Sequence, residues 1–437
     1  MIVPTRRALT LAAAIAPVAF LGFVTPVALD VLLVADAVLL GLVLLDARLA
    51  VGRELISATR LAANSFSAGR EASCVYRWQN ASRRRARLTV RETRPARLGG
   101  VLDARTLIVP PKGTLSETLP VSPVRRGRDS GGWFAVRSTG PLGLAQRQWR
   151  TDLPWNVTVY PALPASRLAA SVAEAVRRRD HGLRQSRQLG EGRQFESLRA
   201  WVPGDDTRHI DWKATARRRR PIVRQFEEER RQQVLLVLDA GRLLTADVQG
   251  EPRFEHVVRA ALWLAFAANH HDDNVGILVF SSEVEHYVPP QRGRRGLQAV
   301  LDVLAVIEPK LVEPDYPAAF RQLAVRNRKR ALTVVFTDVI DRFASEALLA
   351  NVGALRPRHL PLVVTLKNPG LHEAAAAPAE SSTDAYRKAA AESLLAEREA
   401  ALFQMRHAGA IVLDVAPHNA ARAVVDQYLE LKRRGRL

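Results

Sequence analysis

Short apolar runs that alternate with helically periodic stretches constrain the second half of this 437-residue chain more than any other feature. The first run, residues 234–238, ends in Asp239, and another, 332–336, ends in Thr337 and Asp338. Further runs lie at 275–280, 362–366 and 410–415, with helical segments near 254–269, 296–307, 344–355, 384–407 and on to about 434. Strands that are apolar at every position, and not only at every second one, are covered on both faces. Their alternation with helices predicts a doubly wound, mostly parallel sheet over residues 234–437. Ligands of such sheets bind beyond the C-terminal strand ends, where Asp239 and Asp338 stand.

The N-terminal end reads differently. Residues 8–24 are uncharged, Thr25 and Pro26 follow, and 27–45 are apolar except for Asp30 and Asp36. Two short spans joined by a Pro turn predict a transmembrane helical hairpin over residues 1–60. Arg6, Arg7, Arg48, Arg53 and Arg60 flank it while the turn carries no basic residue, which predicts a multi-pass cell-membrane protein with both termini and the remaining domains cytoplasmic. Asp36 is expected to face the partner helix or another subunit, or to be protonated, since a mid-span carboxylate facing lipid is costly. Residues 61–165 alternate in strand fashion between Gly, Pro, Asn and Ser clusters, the pattern of a β-sandwich-like domain. Trp78, Trp133, Trp149 and Trp155 fall at strand spacing there and read as core or edge aromatics more readily than as a base-stacking set. The single cysteine, Cys74, excludes an internal disulfide and a cysteine-based zinc site.

The connecting block, 166–233, holds the most distinctive stretch of the chain. It runs G-E-G-R-Q-F-E-S-L-R-A-W-V-P-G-D-D-T-R-H-I-D-W-K-A-T-A-R-R-R-R-P-I-V-R-Q-F-E-E-E-R-R from Gly190. Pro203, Gly204, Asp205 and Asp206 are turn chemistry, and Arg208, Asp211, Trp212, Arg217, Arg224, Glu227 and Glu229 supply an aromatic and charges of both signs. Such mixed charges suit a structural ion-pair network. Asp205 and Asp211 could serve acid/base or cation chemistry only with help from His209, and no further ligand stands at metal spacing.

These residues carry a family resemblance. The hairpin, the P-G-D-D-T-R-H-I-D-W-K-A-T-A-R block, the L-L-V-L-D strand, F-T-D at 336–338 and the closing Y-L-E-L-K-R-R-G-R-L together resemble the bacterial family catalogued as domain of unknown function 58. The C-terminal half is similar to a von Willebrand factor A domain, a Rossmann-type fold. The resemblance implies a membrane-anchored protein encoded beside a MoxR-type AAA+ ATPase, with the A-like domain as that ATPase's adaptor in envelope or metalloenzyme assembly. It also implies a magnesium site (MIDAS) built from a D-x-S-x-S loop, a Thr and a later Asp. Here the loop reads Asp239-Ala240-Gly241-Arg242-Leu243 and residues 288–296 contain no Thr. The site is degenerate: Asp239 and Asp338 are its only remaining metal ligands, and Arg242 or Arg294 is expected to bring a guanidinium to them in place of the ion. No cofactor is therefore expected, magnesium being the one ion whose ligands are even partly present.

Charge narrows the function classes. The formal net charge is +20, yet basic and acidic residues number 17 against 6 in 61–165, 17 against 10 in 166–233 and only 25 against 24 in 234–437. Tethered after the second span, the arginine-rich segments are expected to lie on an anionic lipid surface, and no specific nucleic acid is expected. No Walker A, GxSxG, HExxH or GxGxxG sequence stands at a strand-to-helix turn. The leading expectation is a non-enzymatic scaffold for protein–protein interaction. The alternatives are a metal-dependent enzyme using Asp239 and Asp338, and a nucleic-acid binder using arginine-rich surfaces.

Overall fold

The computed structural model describes residues 1–17, 26–162, 194–202, 207, 210–227, 232–248, 250–339, 346–356 and 358–437. The chain divides into two compact units, Met1–Ala162 and Leu163–Leu437.

In the first unit the elements are β1 (Ile2–Pro4), α1 (Arg6–Ile15), α2 (Pro26–Leu49), β2 (Ile56–Leu61), β3 (Ser65–Ser67), β4 (Ala72–Asn80), β5 (Ala86–Thr93), β6 (Arg105–Val109), β7 (Thr114–Val121), β8 (Gly127–Thr139) and β9 (Ala145–Tyr160). One sheet has the order β1-β9-β8-β5-β6, with β3 added parallel to β9; the other has the order β2-β4-β7. Strict alternation in β4 and β5 sends Cys74, Tyr76 and Trp78 and then Leu88 and Val90 inward, so the two sheets share one core. Tyr76 and Trp78 of one sheet meet Phe134 of the other edge to face, at 5.4 and 5.3 Å between ring centres.

The expected membrane hairpin is overturned. No helix among the described residues is long and apolar enough to cross a membrane. Helix α1 stops after ten residues, and Asp30, Asp36, Asp46 and Arg48 interrupt the apolar run of α2. Asp30 and Asp36 are exposed, so neither is covered by a helix of the same chain among the described residues. The chain start is instead a sheet strand: β1 pairs antiparallel with β9. The end of α2 is clamped to the β8–β9 turn by Asp46, whose fully buried carboxylate accepts the backbone N–H groups of Leu142, Leu144 and Ala145 at 2.7, 2.7 and 2.8 Å. Arg147 and Arg84 donate to the carbonyls of Ala47 and Leu49 and so cap the last turn of α2. The multi-pass location and the span that was to tether the arginine-rich segments fall with the hairpin.

In the second unit, β10 (Gln194–Ala200) and β11 (Ile222–Glu227) form a hairpin-like pair around α3 (Trp212–Arg218). There follow β12 (Gln233–Asp239), the short pair β13 (Asp247–Val248) and β14 (Glu251–Pro252), α4 (Arg253–His270), β15 (Asn274–Phe280), β16 (Val284–Gln291), α5 (Gly293–Val306), α6 (Tyr316–Arg326), β17 (Leu332–Phe336), α7 (Glu346–Leu355), β18 (Leu360–Leu366), α8 (Pro369–Ala376), α9 (Ser382–His407), β19 (Ile411–Val415) and α10 (Ala420–Arg433). The sheet order is β16-β15-β12-β17-β18-β19, parallel throughout except for the antiparallel edge strand β16. Helices α4, α5 and α10 cover one face, and α6, α7 and α9 cover the other. The chain leaves β12 toward β15 on one side and returns to β17 on the other. The sheet therefore has its topological switch between β12 and β17, the place where such sheets leave a crevice.

Candidate functional site

Asp239 closes β12 and Asp338 stands two residues past β17, so the two carboxylates flank the switch point. Both are almost fully buried, at 1% and 5% exposure, and such groups need partners.

Asp239 is satisfied by neutral donors. Tyr316 Oη and Thr337 Oγ1 both lie within reach of its Oδ2, at 2.8 and 2.7 Å, and the Gly241 N–H donates to Oδ1 at 2.7 Å. The two hydroxyls are themselves 2.8 Å apart. Three short contacts thus join three oxygens that own two hydroxyl hydrogens between them, a triangle completed when the carboxyl carries a proton. Burial pushes the Asp239 carboxyl above its usual range, with the bonds from Thr337, Gly241 and Tyr316 pulling it back. Burial and the neighbouring Asp239 carboxyl push the Tyr316 phenol up as well.

Asp338 is satisfied by charge. Arg253, the first residue of α4, reaches its Oδ2 at 2.9 Å, and Arg398 of α9 reaches its Oδ1 at 3.0 Å. The Val339 N–H donates to Oδ1 at 2.9 Å. Arg398 also binds Asp414 of β19 at 2.9 Å, and Thr365 donates to the same carboxylate at 2.9 Å. Both guanidiniums bond to the Leu366 carbonyl, and Arg398 also donates to that of Val339. The result is an alternating chain, Arg253–Asp338–Arg398–Asp414, with no net charge. Burial, countered by Arg253 and Arg398, raises the Asp338 carboxyl. Burial would lower Arg398, but the carboxylates of Asp338 and Asp414 outweigh it and raise it.

These partners bear on the magnesium site that the resemblance implies. A hard divalent cation needs several free oxygen ligands. Here each carboxylate oxygen of Asp239 and Asp338 already has a hydrogen-bonding or ion-pair partner, and two guanidiniums balance the charge of Asp338. The residues present do not fit magnesium, and among the described residues no group of three or more His, Cys, Asp or Glu could hold a metal ion.

The expected substitutes lie elsewhere. Arg242 pairs with Glu313 at the surface, and Arg294 is exposed in the first turn of α5 with no ion pair among the described residues. The guanidiniums come from Arg253 and Arg398 instead. Sequence spacing could not show this, since Asp338 is 85 and 60 residues from them. One signal was visible: Asp414 interrupts an apolar strand just as Asp239 ends one. Of the block motif, Asp211 caps α3 by accepting the Ala214 N–H at 2.9 Å, Trp212 is 71% exposed, and Arg217 sits in the last turn of α3. Arg224 and Glu227 lie on β11. Gly204, Asp205, Asp206, Arg208, His209 and Glu229 lie outside the described residues.

Comparison by sequence finds similarity to proteins described as uncharacterized. The chain is 26% identical over 182 residues to an uncharacterized protein of Mycobacterium tuberculosis (strain H37Rv), a stretch covering 41% of this chain and 56% of that protein. It is 24% identical over 228 residues to the uncharacterized protein YeaD of Bacillus subtilis (strain 168), covering 52% and 54%. The chain thus spans little more than half the length of these curated relatives. Among solved structures, proximal thread matrix protein 1 from the mussel byssus aligns over 46% of each chain at 7% identity and a TM-score of 0.29, too slight a likeness to carry a conclusion. Residues 197–377, which contain Asp239 and Asp338 with their two strands, match the family described as protein of unknown function DUF58.

Proposed function

We propose that this chain is a non-enzymatic adaptor whose α/β unit, read as von Willebrand factor A-like, docks a partner protein across the C-terminal edge of its sheet. The observation that carries the reading is the plug formed by Arg253, Asp338, Arg398 and Asp414. It ties together the C-terminal ends of β17, β18 and β19, beside the switch point at which a sheet of this topology would hold a ligand, and it leaves charge balanced without an ion. Around that plug the surface carries salt-bridged rim charges, Arg242 with Glu313 and Lys310 with Glu285. Rim charges of this kind steer association and fix register more than they supply affinity. The partner implied by the family resemblance is a MoxR-type AAA+ ATPase.

The test is co-purification of the full chain with a MoxR-type AAA+ ATPase. Arg242→Glu is expected to weaken capture about tenfold, with Glu313→Arg doing the same and the two together restoring part of it. Capture that ignores all three variants would overturn the docking surface. Turnover of a substrate lost with Asp239→Ala would overturn the non-enzymatic reading.

A further inference from the structure

A second site lies in the first unit, on the outer face of the larger sheet, and it rests on nothing said above about the α/β unit. Strand register places its residues in rungs across β5, β8 and β9. Arg91, Ala135 and Arg150 form one rung, Thr89, Arg137 and Gln148 the next, and Thr93, Trp133 and Asp152 the one on the other side. Directly opposed side chains stand about 5 Å apart and diagonal ones about 7–8 Å. A single methyl group, that of Ala135, is thus ringed by three guanidiniums and an indole. The hollow has a volume of about 410 Å³, within the range of small-ligand sites, with Val101 and Trp133 supplying apolar wall.

Two features show that this arrangement is not an incidental surface. The first is a β-bulge at Gly131 and Gly132. Gly131 faces buried Trp155 on the core side, so without the extra residue the next inward position would be Trp133; the bulge turns that indole to the open face instead. Gly132 has φ +119, and a Cβ there would stand 2.9 Å from Trp155 and 3.1 Å from the Thr93 carbonyl, so only glycine fits. Bulges that re-aim a side chain concentrate beside functional sites. The second is uncompensated charge. Arg91 and Arg137 make no ion pair among the described residues, Arg137 donating only to Gln148 at 3.1 Å. Arg150 stacks over Trp133 at 4.8 Å and pairs with Asp152, which is the one carboxylate of the three rungs. Three guanidiniums against one carboxylate leave two positive charges around an apolar floor.

We propose that this face binds a small phosphomonoester carrying a flat apolar group, a ligand the size of a mononucleotide. A phosphate dianion matches the surplus charge, and guanidinium forks offer it paired hydrogen bonds. Its apolar group lies along Ala135, Val101 and Trp133.

The experiment is calorimetric titration of the full chain with adenosine 5′-monophosphate, beside adenosine alone and inorganic phosphate alone. Saturable binding of the nucleotide at least tenfold tighter than either half is expected. Arg91→Gln and Arg137→Gln should each weaken it about tenfold or more. Ala135→Phe, which fills the floor and removes no charge, should abolish it, with melting temperatures of all three variants close to that of the parent. Equal binding of nucleotide and phosphate, or binding unmoved by Ala135→Phe, would overturn the proposal. So would a ten-residue thymidine oligonucleotide, or vesicles containing phosphatidic acid, binding a hundredfold more tightly than the nucleotide, since the face would then follow a polymer or a lipid surface.

Discussion

Replacing Arg398 by Met tests the charge chain at its centre. The arginine side chain is 12% exposed and holds Asp338, itself 4% exposed, and Asp414, 19% exposed. Removing one partner of a buried pair costs about 3–5 kcal/mol, because the remaining charge stays buried without its counter-ion. The lower end applies here: Asp338 keeps Arg253 at 2.9 Å, and Asp414 keeps Thr365 and some contact with water. A loss of about 3 kcal/mol is expected, which at a urea slope of about 2–3 kcal/mol/M lowers the unfolding midpoint by roughly 1–1.5 M. Urea titration of the full chain followed by circular dichroism measures it. Adding Asp414→Asn to Arg398→Met removes the stranded Asp414 charge while the Arg253–Asp338 pair stays balanced, and should recover more than half of the loss. A single-variant loss below about 1 kcal/mol, or a double variant no better than the single, would refute the idea that balanced charge holds these strand ends together.

Other expectations follow from the same geometry. Because burial raises the Asp239 carboxyl above its unfolded value near 4, its contribution is fully present below about pH 4 and is lost as pH rises through the folded value. The stability of the parent relative to Asp239→Asn should therefore shrink from pH 4 upward, and a difference that grows with pH would reverse the sign of the argument. Magnesium titrated calorimetrically into the full chain should give no saturable heat; micromolar binding lost in Asp239→Ala would show that the carboxylates are free after all. Asp46→Ala leaves the buried N–H groups of Leu144 and Ala145 and the part-buried one of Leu142 without an acceptor and should cost about 3 kcal/mol, read by near-ultraviolet dichroism of the buried tryptophans. Gly140→Ala should be damaging for the same reason, since its Cβ would lie 2.3 Å from Asp46 Oδ1.

What could be read from residues alone follows burial. The apolar runs at 234–238, 275–280, 332–336 and 362–366 coincide with β12, β15, β17 and β18 because both faces of these strands are covered, which leaves no polar position to confuse the pattern. Strand β16 was invisible for the opposite reason: V-E-H-Y-V-P-P-Q is half exposed and carries two prolines, as an edge strand can. Helix α6 carries its start signal in the letters D-Y-P-A-A, since Asp315 accepts the Ala318 N–H at 2.8 Å and Pro317 follows in the first turn. At the N-terminus, composition misled. The uncharged run continues to residue 24 but helix α1 ends at Ile15, and the residue that explains the segment, Asp46, has its partners 96 to 99 positions away. The guanidiniums at the switch point were hidden by the same long separations, whereas Asp239 and Asp338 were legible because strand ends are local features.

The Asp46 clamp also orders events in time. Helix α2 cannot be fastened until the β8–β9 turn exists, and β1 cannot pair until Arg147 and Gln146 have been made. At about 5–20 residues per second, the ribosome takes roughly 5–20 s to supply those hundred residues after Asp46. Throughout that interval Ala47, Ala50 and Val51, which are buried in the finished fold, have no strand to shelter them. The first fifty residues are thus the first made and the last seated, so the early chain depends on whatever in the cell shields an apolar helix until its sheet is complete.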